Sequence, residues 1–197
     1  MTIDVWRLGL DSDKDMGLLP HSLDYFNRHF IGKPMAKNWK APPIVIDGKS
    51  KRLRDFVSWM SGAGVVSEAA KRALEPLISP YVEILPLTEL RGKPFFAINV
   101  TCIIDCMDRK KSVERGGKNV FGEVHFLPSR LKEIPIFKLP EDTGDIFVTR
   151  SFVDMVTSNG LRGAYFQNPA EDPLFYVLHG PHRTNNTFVA DLHEGQN

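Results

Sequence analysis

The sequence predicts an α+β fold: a mixed or antiparallel sheet with a long central strand near residues 94–106, and two short helices. Three observations lead there. From Phe95 to Met107 the residues alternate, with Phe96, Ile98, Val100, Cys102, Ile104 and Cys106 forming a wholly apolar face. The opposite face, Phe95, Ala97, Asn99, Thr101, Ile103, Asp105 and Met107, is apolar but interrupted by polar side chains. A period of two in β-branched and aromatic residues marks a strand, and one this apolar belongs in the middle of a sheet with its uniform face on the core. It is long for a single strand, so a bend or bulge is expected along it.

The second observation is one pattern written twice. Val65-Val66-Ser67-Glu68 opens a helix that runs toward Leu74 and is followed by the strand Val82–Leu85. Phe147-Val148-Thr149 opens another toward Val156, followed by Gly163–Phe166. Ser67 and Thr149 stand at N-cap positions, where a hydroxyl accepts from otherwise unpaired helix amides. Asn159-Gly160 is a helix stop, because glycine tolerates the left-handed conformation needed there. Two copies are too few for a solenoid and suggest a duplicated strand–helix–strand element. Third, strands and helices do not alternate regularly, which favours α+β over α/β.

The remaining elements follow in order. Thr2–Leu8 reads as an early strand, and Leu18–Phe30 as a helix from the spacing of Leu23, Phe26 and Phe30. Ile44–Ile46 is a short strand before an Asp47-Gly48 turn. Arg109–Gly122 reads as a charged loop, Val120–Leu127 and Ile134–Leu139 as strands, and Glu141–Asp145 as an acidic turn.

A chain of 197 residues fits a single domain. Residues 179–197, beginning His-Gly-Pro-His, lack apolar periodicity and are expected to be a flexible tail. The formal charge of +1 gives no general argument for nucleic acid or an anionic membrane. The start has no signal-peptide pattern, and no stretch is long enough to span a bilayer, so a cytoplasmic location is expected. Cys102 and Cys106 on one strand would lie about 13 Å apart, too far for a disulfide, and read as buried reduced thiols.

Asp105 and Asp108 are the best candidates for chemistry, since paired carboxylates can bind a divalent metal or exchange protons. Arg109, Lys110, Lys111, Arg115 and Lys118 form a basic patch that could track phosphates, but no aromatic is interleaved to stack bases, and nucleic-acid binding is disfavoured. Glu141 and Asp142 form an acidic counterpart suited to a protein contact. His179, His182, His193 and Glu194 offer ligand types for zinc without a rigid framework. There is no Gly-x-Ser-x-Gly nucleophile motif and no phosphate-cradling loop. These residues suggest no cofactor, no metal and no assembled catalytic set; a binding protein is the leading reading, and the alternatives are a hydrolytic or nucleic-acid-processing enzyme using Asp105 and Asp108 or a nucleic-acid-binding module using the 109–118 basic loop. Homo-oligomerisation stays open.

The segment Asn99-Val100-x-x-x-x-Asp105-Cys106-Met107-Asp108-Arg109-x-x-Ser112 resembles the hallmark of a bacterial immunity-protein family encoded beside polymorphic toxins. Asp55-Phe56, Val66-Ser67-Glu68 and Val82–Pro86 precede it in the family's order. Ile136–Leu139, Ile146–Thr149 and Gly160-Leu161-Arg162-Gly163 follow. The resemblance runs from Arg54 to Pro169, and residues 1–50, a less typical N-terminal part, and the tail after Pro169 match it less well. It implies a protein without catalysis that neutralises a cognate toxin, encoded by an adjacent gene, by occluding it. The candidate partner-binding residues are then Asp105, Asp108, Arg109, Lys110, Lys111, Arg115, Lys118, Glu141 and Asp142.

Overall fold

The computed structural model describes residues 3–10, 15–19, 29–47, 52–60, 62–114, 121–131, 133–170 and 188–189. Within them are two helices, α1 (Glu68–Ile78) and α2 (Arg150–Ser158), and three sheets. One sheet has the order β3 (Val45–Asp47), β2 (Gly17–Leu19), β4 (Phe56–Met60), β5 (Ala63–Ser67), β7 (Phe95–Val100), β6 (Val82–Pro86). It is mixed, because β2 and β4 run parallel and the other pairs antiparallel. The second has the order β10 (Ile136–Phe137), β11 (Phe147–Thr149), β1 (Val5–Leu10), β12 (Ala164–Gln167), β13 (Phe188–Val189), all antiparallel. A small ribbon joins β8 (Val113–Glu114) to β9 (Phe121–Glu123). The fold is α+β and mostly sheet.

The repeated pattern corresponds to two split units. In the first, β5 leads through α1 to β6, and β7 lies between the two strands, antiparallel to both. In the second, β11 leads through α2 to β12, and β1 occupies the same middle position. The helices pack on each other over one shared core. Ala70, Leu74 and Ile78, four apart on α1, are fully buried there, as are Phe152 and Val156 of α2. Each large aliphatic side chain so buried contributes about 1.5–3 kcal/mol relative to exposure. Ile98 and Val100 of β7 face this core, and so do Trp6, Val148 and Phe166 of the second sheet.

The central strand is correctly placed but shorter than expected. β7 ends at Val100, because the Tyr81 carbonyl accepts from the amides of Thr101 and Cys102 and from the Thr101 hydroxyl. The chain then crosses to the other sheet. Lys138 N–H donates to Cys102 O and Ile104 N–H to Lys138 O, and single bridges form at Ile103 and Met107. The interrupted face of β7 is also buried: Phe95 and Ala97 pack into a second cluster with Val65, Leu85 and Trp59. Asn99, expected on a partly polar face, is fully buried and donates to Lys33 O at 2.8 Å and to Glu83 at 2.9 Å. Glu83 in turn accepts from the amides of Met35 and Ala36, and Trp39 donates to Pro86 O, so the 33–39 segment lies along the edge of β6.

Other expectations change in extent. The helix expected over Leu18–Phe30 begins as strand β2, and Phe30 has a φ of 58°, outside the right-handed helix; residues 20–28 lie outside the described set. The Arg109–Gly122 loop contains β8 and the start of β9, and the strands expected at Val120–Leu127 and Ile134–Leu139 contract to Phe121–Glu123 and Ile136–Phe137. Within the 179–197 tail, Phe188–Val189 pairs with β12; the other residues of the tail, with its histidines, lie outside the described set. Cys102 and Cys106 are both free thiols.

Candidate functional site

The Asp105–Ser112 segment is built as a braced turn. Asp105, half exposed, accepts from Arg109 at 2.8 Å and from Arg130 at 2.9 Å, one guanidinium on each oxygen. Arg109 also donates to Glu141, so the basic and acidic clusters read separately from the sequence form one network. The Asp105 hydrogen bond, with the charge of Glu141, raises the pKa of Arg109 above its ordinary value. Asp108 accepts from the Lys110 amide through its side chain, and its carbonyl accepts from the amides of Lys111 and Ser112. Ser112 zips the turn to His125, whose amide donates to the Ser112 hydroxyl at 2.9 Å. Lys110 and Lys111 are exposed, while Arg115 and Lys118 lie outside the described residues. Beneath the turn, Cys106 is fully buried. Burial, helped by the charges of Asp105 and Glu141, pushes its thiol up to about 12, so it is not an activated nucleophile.

The acidic turn faces inward. Asp142 accepts from the amides of Gly144 and Asp145, and burial together with the Asp145 charge raises its pKa. Asp145 pairs at 2.7 Å with the buried Arg7. Lys138 is fully buried and donates to the carbonyls of Phe30, Gly62 and Thr143. Burial lowers its pKa to about 8, against the opposing pull of Asp142 and Asp145. Among the described residues no group of three or more His, Cys, Asp or Glu side chains is placed to hold a metal ion. Asp105 and Glu141 are thus engaged by arginines and Asp108 and Asp142 by backbone amides, while the second Glu141 oxygen is buried without a hydrogen-bond partner among the described residues.

A different place collects unspent charge. Asp55, Ser67 and Arg162, distant in sequence, meet at the N-terminus of α1. The Ser67 hydroxyl accepts from Ala70 N–H at 3.1 Å, capping the helix, and donates to Asp55 at 2.8 Å. The other Asp55 oxygen accepts from Arg162 N–H at 3.1 Å, and Arg162 O accepts from Phe56 N–H at 2.9 Å. Gly163 permits this approach: its φ is +97°, and a Cβ there would lie 2.4 Å from Phe56 O. The result is an open cleft of about 490 Å³ lined by Leu53, Pro94 and Phe95 and by Arg54, Arg72, Lys93 and Arg162, of which Arg54 is already paired with Asp15 at 3.1 Å.

The cleft is not legible in the sequence, because its cations come from four separate segments. The available signal was that Asp55-Phe56, Ser67-Glu68 and Leu161-Arg162-Gly163 all carry the resemblance, and all three meet here.

Comparison with protein families matches residues 15–171 to the immunity protein family (Imm11). The match spans most of the chain, and the chain belongs to that family. Comparison with curated proteins gives no match.

Proposed function

We propose that this protein binds a cognate toxin domain, encoded by an adjacent gene, and neutralises it by occlusion without chemistry of its own. Family membership carries the reading. The geometry supports it, because the carboxylates best suited to catalysis are engaged: Asp105 by two arginines, Asp108 by its own turn. Inhibition by occlusion needs complementary shape and charge rather than reactive groups. No described helix is long and apolar enough to cross a membrane. We place the protein in the cytoplasm, where the toxin's target would also lie.

Co-expression with the active toxin domain tests this. Cells carrying both should survive, and the two proteins should co-purify as a stable complex whose affinity falls as salt rises. Cell death as fast as without the protein overturns the reading for that pair. Protection accompanied by turnover of the toxin's substrate or product by the purified protein would make it an enzyme instead.

A further inference from the structure

The cleft at the start of α1 holds more positive charge than its own acids use. Asp55 spends one oxygen on Ser67 and the other on the Arg162 amide. Glu68 lies only at the 4.0 Å margin of an ion pair with Arg72, whose side chain is 73% exposed. Among the described residues, Lys93 and the Arg162 guanidinium have no carboxylate within ion-pair distance, and both are exposed. The α1 dipole adds its positive end to the same space, since the helix is 11 residues long and opens on this cleft.

We infer that this cleft receives a short acidic segment of the partner protein, with Lys93, Arg72 and Arg162 pairing its carboxylates. The inference rests on the immunity reading and names the chemistry of the contact. The volume suits two or three side chains rather than a folded element, so the segment must project from a larger contact around the rim. Leu53 and Pro94 offer apolar surface to the stems of Glu side chains. The Arg162 backbone, not its side chain, holds the cleft together, so the guanidinium is available without cost to the fold.

The test uses the full chain and its double variant Lys93→Glu/Arg162→Glu, both exposed positions. A shared thermal midpoint establishes that the variant folds. Titrated against the adjacent-gene toxin domain, the variant should bind about 100-fold more weakly than wild type and show a smaller salt dependence. The control Lys37→Glu/Lys40→Glu, at two exposed lysines that do not line the cleft, should change affinity less than threefold. If wild type binds and protects but the cleft variant matches it, the inference fails while the immunity reading stands. If wild type does not bind the toxin, the immunity reading fails, and a hexaglutamate peptide decides the cleft on its own. Salt-sensitive binding of that peptide to wild type, lost in the variant, supports an acidic-segment receptor. No peptide binding, or binding of a single-stranded oligonucleotide in its place, overturns it.

Discussion

The two split units, Ala63–Pro86 and Phe147–Gln167, follow the same path around a middle strand and use the start of their helices in opposite ways. In the first, the Ser67 hydroxyl caps α1, Glu68 stands in the first turn, and the helix end opens on a cation-rimmed cleft. In the second, the Thr149 hydroxyl turns away and donates to Ile134 O at 3.1 Å, and no side chain caps α2. Its first residue is Arg150, which pairs with Asp4 at 3.1 Å and lies over the Trp6 ring. A cation at that end opposes the helix dipole and repels anions. The C-termini differ the other way. α2 ends with Gly160 at a φ of +61°, Leu161 N–H reaching Val156 O and Gly160 N–H reaching Thr157 O, a Schellman closure. α1 ends through Ser79 in right-handed geometry, without such a glycine. The start of α2 is occupied by a cation already paired, and the start of α1 opens on the cleft.

The largest expected effect breaks both units together. Ile98→Asp buries an unpaired charge in the core that α1 and α2 share, a cost comparable to the whole stability of a domain of about 5–15 kcal/mol. A soluble variant with a cooperative melt would show that the core is not common to both.

Next in size is the pin between the sheets. Lys138, just after β10, grips Gly62 at the entrance to β5. Its folded pKa of about 8 lies below the ordinary 10.5, so between these values the unfolded chain binds more protons and stability rises with pH. Lys138→Met should lack that rise, the difference between the two proteins' stability curves growing by roughly 3 kcal/mol from pH 8 to 10.5. Cys106 acts in the opposite sense above pH 9, equally in both proteins, and cancels from the difference. Parallel curves from chemical denaturation would contradict a buried charged lysine.

Smaller again are the glycines of the second unit. Gly163→Ala should cost roughly 2–3 kcal/mol, because it combines a positive φ with a clash against Phe56 O. Gly160→Ala should cost about 1 kcal/mol, since only the positive φ is at stake and a Cβ there meets nothing within 4 Å. Equal midpoint shifts would show that the contact joining Arg162-Gly163 to Asp55-Phe56 is slack.

How far the sequence carried this account varies by element. The alternation over 95–107 revealed strand-like burial but not the change of partner at Thr101, because alternation reports faces and not which carbonyl ends the ladder. Leu23, Phe26 and Phe30 suggested a helix, but Leu18 lies in a strand and Phe30 takes a left-handed φ beside Trp59 in the second cluster. Ser67 and Thr149 look alike in sequence, yet only a distant carbonyl at Ile134 decides that one caps and the other does not. Asp105 drew attention as a paired carboxylate, while its second arginine, Arg130, lies 25 residues away and was not visible locally. The cleft needed the fold itself to bring Arg72, Lys93 and Arg162 to one rim.

The caps give an effect as small as that of Gly160 and the cleanest contrast. Ser67→Ala should cost about 1 kcal/mol and speed hydrogen exchange at Ala70, whose amide it accepts. Thr149→Val should leave the first-turn amides of α2 unchanged, because its hydroxyl serves Ile134 O instead. Faster exchange in both first turns would erase the difference between the units.

Hydrogen exchange on the complex with the toxin domain tests the central claim most directly. The open end of α1, at the Glu68 and Ala69 amides, and the Leu90–Lys93 turn beside it should be protected on binding. The braced end of α2 at Arg150–Phe152 should exchange as it does in the free protein. Protection confined to α2 or to the Asp105–Ser112 turn, with α1 unchanged, would contradict the account.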